Sequence, residues 1–268
     1  TVEIDEMDST NEQLGDDRHI DPVDLAMRVE APEPTTYDLV DPYEITGVGI
    51  EMLLDEDESE TLNPPKPALA SSDPEAPRRV VNTACEVFGP PEIVVANGGG
   101  PPGMPAVSAT AGDLTSACEL LLLPVQRLAE LTLPAMRSAG WGRFVAITSV
   151  AVRQPQPGLV LSNALRAAVT GYLKSLADEV AVDGVTVNTV CPGYTATDRL
   201  RVLAENVAER EGSTVDQVFE KWAQMAPVRR LLRPEEVAAA VTFLCSDEAS
   251  GITGVALPVD GGFSRGLL

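Results

Sequence analysis

The chain has 268 residues, a 44% apolar fraction and a formal charge of −22, the profile of a globular protein with one sizeable core. No apolar run reaches the ~18 residues of a membrane helix, and acidity of this degree repels phosphate backbones, so neither a membrane span nor nucleic-acid binding is expected. The charge is uneven: residues 1–66 hold 20 Asp and Glu against Arg18, Arg28 and Lys66, whereas the remainder holds 21 acids and 16 bases.

The acidic opening lacks a basic-then-apolar leader, and the first residue, Thr1 rather than Met, implies a processed or partial chain. Residues 1–66 have no helical period, six prolines from Pro22 to Pro65 and the cluster Asp55–Glu60, which predicts a weakly ordered segment. Two pieces of it have strand character, Val2–Asp5 and Tyr43–Leu54, and "NPPKP" (63–67) reads as a stiff linker. Cys85, Cys118, Cys191 and Cys245 are scattered, with no CxxC and no neighbouring His. They are expected to be buried thiols in a reducing cytoplasm, and no metal site is expected.

From residue 67 to 268 short apolar runs alternate with longer helical stretches, the pattern of an α/β parallel sheet. "EIVVAN" (92–97) is a buried strand that ends in the Gly-rich turn "GGGPPG". Residues 113–138 are expected to form one helix, followed by the strand "WGRFVAITS" (141–149) and a long apolar helix over 159–182. "GVTVNTV" (184–190) is the next strand, 197–225 is a polar amphipathic stretch, and "RPEEVAAAVTFLCS" (233–246) is a helix leading to the last strand, "GVALPV" (254–259).

The segments "VVANGGGPP", "GRFVAITS", "TVNTVCPGYTATDR", "RPEEVAAAVTFLCSDEASGITG" and "PVDGG" stand in the order and spacing of the short-chain dehydrogenase/reductase family. In detail, with its "GGPP" turn, "ELLLL" helix and "LVLSNALRA" segment, the chain resembles an atypical branch similar to 3-oxoacyl-acyl-carrier-protein reductases. The resemblance implies a Rossmann-like, doubly wound parallel sheet. It also implies NAD or NADP as cofactor, a small carbonyl or alcohol substrate, and assembly as a homo-oligomer.

The family's ribose-side turn falls on Asn97, Gly98 and Gly99, although Asn97 could equally pin the sheet. Its carbonyl-binding serine falls on Ser149 at a strand's carboxyl edge, where a serine can also cap a helix. Its nicotinamide-side segment falls on Pro192, Gly193 and Thr197, which also read as a Pro-Gly turn and a helix N-cap. Where the family carries its catalytic tyrosine and lysine, this chain has Ser162 and Arg166, and its assisting asparagine aligns with Leu121. Ser162 and Arg166 share a helix face. However, an aliphatic hydroxyl is a poor general acid and an Arg holds its proton, so the usual proton relay is absent.

The Gly-rich diphosphate turn that opens a family member is also missing. "ITGVGIEML" (45–53) is the nearest fragment, too close to Ala68–Ser72 to leave room for the first βαβ half, and Ala70 stands where the family has an adenine-contacting Asp. The first βαβ half is therefore expected to be missing or replaced, and dinucleotide binding weak or absent. Ile45–Leu53 is the candidate to cover the bare edge of 92–97. Three readings follow: a divergent oxidoreductase working through Ser149, Ser162 and Arg166; a catalytically inactive scaffold or binding module; or a partial or chimeric chain.

Overall fold

The computed structural model describes residues 73–267. Four parallel strands, β1 (Ile93–Asn97), β2 (Gly142–Ile147), β3 (Val185–Pro192) and β4 (Ala256–Val259), lie side by side in chain order. Parallel neighbours need crossovers, and here helices supply them. α2 (Ala111–Leu121) and α3 (Leu123–Ala139) join β1 to β2, and α4 (Val160–Val180) joins β2 to β3. α5 (Asp198–Glu211), α6 (Val215–Met225) and α7 (Pro234–Cys245) lead from β3 to β4. α1 (Ala76–Phe88) precedes the sheet.

The strands are apolar on both faces because both faces are covered. Val94, Ala96, Phe144, Ala146 and Val187 point one way and pack with Leu128 and Met136 of α3, Leu173 and Ala177 of α4, and Val81 of α1. Val95, Val145 and Val190 point the other way, onto Val237, Val241 and Leu244 of α7. This is the doubly wound arrangement expected. At the far edge β4 is short and carries Pro258, which limits further pairing. Asn188 fixes its approach, donating to Ile252 O at 2.8 Å and accepting from Val255 N at 3.1 Å.

Two expectations need correction. The single helix over 113–138 is two, broken at Leu122, because Pro124 has no N–H to give the carbonyl of Leu120. The polar amphipathic stretch 197–225 forms two helices: Gly212 ends α5 in the left-handed region (φ 64°), and Thr214 opens α6 with a capping box to Gln217. Cys191 and Cys245 are buried, but Cys85 is exposed. The strands proposed at Val2–Asp5 and Tyr43–Leu54, the 63–67 linker, Ala70 and the pairing of Ile45–Leu53 with β1 lie outside the described residues. Among the described residues no helix is long and apolar enough to cross a membrane.

Candidate active site

The carboxyl ends of β1, β2 and β3 open on one side of the sheet, where ligands bind in open α/β folds. β1 delivers Asn97 and the turn Gly98–Gly100. Over Gly98 and Gly99 there is open space where a Cβ would stand, and among the described residues the Asn97 side chain makes no hydrogen bond. β2 delivers Thr148, buried and bonded to Val190 O (3.1 Å), and then Ser149. Ser149 Oγ accepts from Ala151 N (3.1 Å), capping the short turn Val150–Val152, while its own hydroxyl proton remains available for donation.

Arg166 joins these two strand ends. Its Nη1 donates to the carbonyls of Ile147 (3.1 Å) and Thr148 (3.0 Å), and its Nη2 donates to Gly99 O (2.8 Å). Burial, and then the neighbouring charge of Arg199, pull its pKa down to about 10, so it stays protonated at neutral pH. Ser162, one turn earlier on α4, is half-buried and has no side-chain partner among the described residues. Leu121 is buried with Ala117, Leu161 and Leu165, so the position of the family's asparagine is apolar here. Beside it a cavity of about 20 Å³, room for roughly one water, lies among Leu120, Leu121, Pro124, Val125, Val169 and Arg166.

β3 delivers Pro192 and Gly193. A Cβ on Gly193 would meet Asp260 Cα at 2.9 Å, so glycine is required by close backbone packing. Thr197 caps α5, accepting from Leu200 N at 3.3 Å. The structure thus brings Asn97, Gly98, Gly99, Ser149, Ser162 and Arg166 to one end of the sheet, while the contacts of Gly193 and Thr197 are structural.

Several residues at this end were not found from the sequence. Asn163 clamps Gln156 by two bonds (3.1 and 2.9 Å), and Gln156 accepts from the Tyr194 hydroxyl at 3.4 Å. Tyr194 stacks on Trp222 of α6 with ring centroids 4.9 Å apart and meets Phe263 edge-on, so α6 and the C-terminal segment hold the loop after β3. Burial raises the Tyr194 pKa, which keeps the phenol neutral. Arg199, at the start of α5, lays its guanidinium against Gly100, in space a Cβ would fill. Among the described residues no group of three or more His, Cys, Asp or Glu is placed to hold a metal ion.

A parallel sheet with helices on both faces and a polar cleft at its carboxyl edge defines a Rossmann-type protein. Residues 69–264 match a family model described as enoyl-(acyl carrier protein) reductase. The chain is 35% identical over 195 residues to the 3-oxoacyl-[acyl-carrier-protein] reductase of Vibrio cholerae, covering 73% of this chain and 75% of that one. It is 41% identical over 127 residues to an acetoacetyl-CoA reductase of Rhizobium meliloti, covering 47% and 48%. Among solved structures it is similar to the L-sorbose reductase from Gluconobacter frateurii complexed with NADPH and L-sorbose. That match has 31% identity and a TM-score of 0.70, over 75% of this chain and 77% of that one. The chain belongs to the short-chain dehydrogenase/reductase family, with its resemblance on the 3-oxoacyl-acyl-carrier-protein reductase-like side. It spans about half the length of the first curated relatives it matches.

Proposed function

We propose that the chain is a divergent oxidoreductase of its family, acting on a small carbonyl or alcohol substrate with NAD or NADP. The observation that carries this reading is the bonding of Arg166 to the carbonyls of Ile147 and Thr148, which holds the Ser162 face of α4 against the strand end that bears Ser149. Both serine hydroxyls then serve the carbonyl oxygen as hydrogen-bond donors, Ser149 oriented by its bond from Ala151 N. Arg166 contributes a fixed positive charge near the developing alkoxide and exchanges no proton. A bound reduced nicotinamide supplies the hydride. Open space over Gly98 and Gly99 favours its seating beside Asn97, with Pro192, Gly193 and Thr197 on the other side. With Ser162 and Arg166 at the positions of the family's tyrosine and lysine, the alkoxide takes its proton from solvent, so turnover should be slow.

A second reading, a catalytically inactive binding module or scaffold, is favoured by the apolar Leu121 and by the commitment of Arg166 to three backbone carbonyls. Reduction of acetoacetyl thioesters and simple diketones, followed by loss of nicotinamide fluorescence, separates the two. We expect slow turnover that falls roughly 10- to 100-fold in Ser149→Ala and further in Ser149→Ala/Ser162→Ala. Rates unchanged by both substitutions would remove the serines from the chemistry, and dinucleotide binding without turnover would select the binding module. Because no Gly-rich diphosphate turn is present in the sequence, dissociation constants for NADH and NADPH above the micromolar range are expected. Sub-micromolar binding in a calorimetric titration would contradict that.

A further inference from the structure

Two guanidinia meet at the Gly98–Gly100 turn. Arg166 Nη2 bonds Gly99 O at 2.8 Å, and the carbon of the Arg199 guanidinium lies 2.6 Å from where a Cβ of Gly100 would stand. A side chain at Gly100 would push the Arg199 guanidinium off the turn. Arg166 leaves two of its five N–H donors unused, and all five of Arg199 are without partners among the described residues. No carboxylate pairs with either arginine among the described residues. Arg199 also sits in the first turn of α5, where the helix's own positive end disfavours it. Asp198 beside it forms no ion pair with either guanidinium among the described residues.

Two like charges held together at a positive helix end repel each other unless something negative joins them. We propose that Arg166, Arg199 and the Gly99–Gly100 backbone form a seat for a small oxyanion, so that the ligand of this cleft carries a carboxylate or phosphate group. Planar guanidinia match a two-oxygen anion in bidentate fashion, and the open space over Gly98 and Gly99 admits the rest of the molecule. This rests on the cleft reading above only in taking the same cleft as the ligand site. It requires no turnover. The charge of Arg199 helping to lower the Arg166 pKa agrees with an unneutralised pair.

The test is calorimetric titration of the full chain at low ionic strength with inorganic phosphate, acetoacetate, methyl acetoacetate and NADPH. Arg199→Gln is compared with Arg201→Gln, an exposed arginine of the same helix that carries the same charge change. Circular dichroism melting confirms that both variants fold. The expected result is that acetoacetate and phosphate bind and the neutral ester does not, with binding weakened roughly tenfold or more in Arg199→Gln and unchanged in Arg201→Gln. If only NADPH binding depends on Arg199, the oxyanion is the dinucleotide's phosphate rather than a substrate acid. Equal binding of acid and ester, or equal binding by both variants, overturns the seat. Absence of reductase activity alongside Arg199-dependent binding would overturn the oxidoreductase reading and leave the seat standing.

Discussion

Arg143 sits in the interior strand β2 at 2% exposure, a position where an unpaired charge is rarely tolerated. Its guanidinium donates to Ser246 O (3.2 Å), Gly142 O (3.0 Å) and Asp247 (3.3 Å), and lies 4.3 Å over the Trp141 ring. Asp247 is 82% exposed, so the ion pair itself is screened, and the two carbonyls and the ring carry most of the interaction. Asp247→Asn should therefore cost less than about 1 kcal/mol. Arg143→Ala, which removes packing and opens a cavity, should cost about 2–5 kcal/mol. Arg143→Met, which keeps the volume, should fall between them. Urea unfolding of the three variants checks the order, and a cost for Asp247→Asn equal to that of Arg143→Ala would mean that the charge pair dominates. At this same scale the sequence was only partly readable. Ser149, Ser162 and Arg166 could be picked out because motif spacing marks their positions. Arg199, Gln156, Asn163 and Tyr194 could not, because each acts through a partner distant in the chain, Gly100 for Arg199 and Gln156 for Tyr194.

Elements were legible where a local rule decides them. The short continuous apolar runs of β1 and β2 and the Pro-Glu-Glu start of α7 are such rules, whereas the break at Leu122 depends on one missing N–H inside an otherwise continuous apolar pattern. The start of α7 also sets a pH dependence. Glu236 receives both Nη atoms of Arg230 (2.7 and 2.6 Å) and the backbone N–H of Arg233 (2.8 Å), which hold its pKa at about 2 against an ordinary 4.5. The folded pKa is the lower one. The unfolded chain therefore takes up the proton first, and the stabilisation is complete above pH 4.5 and lost as pH falls towards 2. Denaturant midpoints across that window should decline more steeply in the native protein than in Glu236→Gln, with the two curves converging at the acid end. Parallel curves would mean that the contact has no thermodynamic weight. The loss is additional to that from Asp260, whose pKa is also depressed through bonds from the backbone of Gly262 and Ser264 despite burial acting the other way.

At the scale of the whole molecule, the apolar content of α4 had implied a helix greasy on most sides. The structure reassigns that content: Leu161, Leu165, Val169 and Leu173 are buried within the chain, against α2 and the sheet. Over its first four turns α4 leaves outward a strip of small residues, Ala164, Ala167, Ala168, Gly171 and Ser175, all exposed at three- and four-residue spacing, with Lys174, Asp178 and Glu179 exposed towards its end, and nothing lies within 4 Å of a Cβ built on Gly171. Such a strip buries little area per residue but lets a second helix approach to the short end of the 8–10 Å interaxial range. The 21 residues of α4 span about 30 Å, and the strip from Ala164 to Ser175 covers about half of that length. A two-fold partner brings the same strip, which is self-complementary because its residues from Ala164 to Gly171 are all small. We therefore expect a homodimer with α4 packed on its symmetry mate, and light scattering after gel filtration at micromolar concentration should return twice the chain mass. Ala168→Arg places a long charged side chain in the middle of the strip without touching the buried face, so it should give a folded monomer with an unchanged melting profile for the isolated chain. Native protein that runs strictly as a monomer, or an Ala168→Arg variant that remains dimeric, would show that α4 is not the contact.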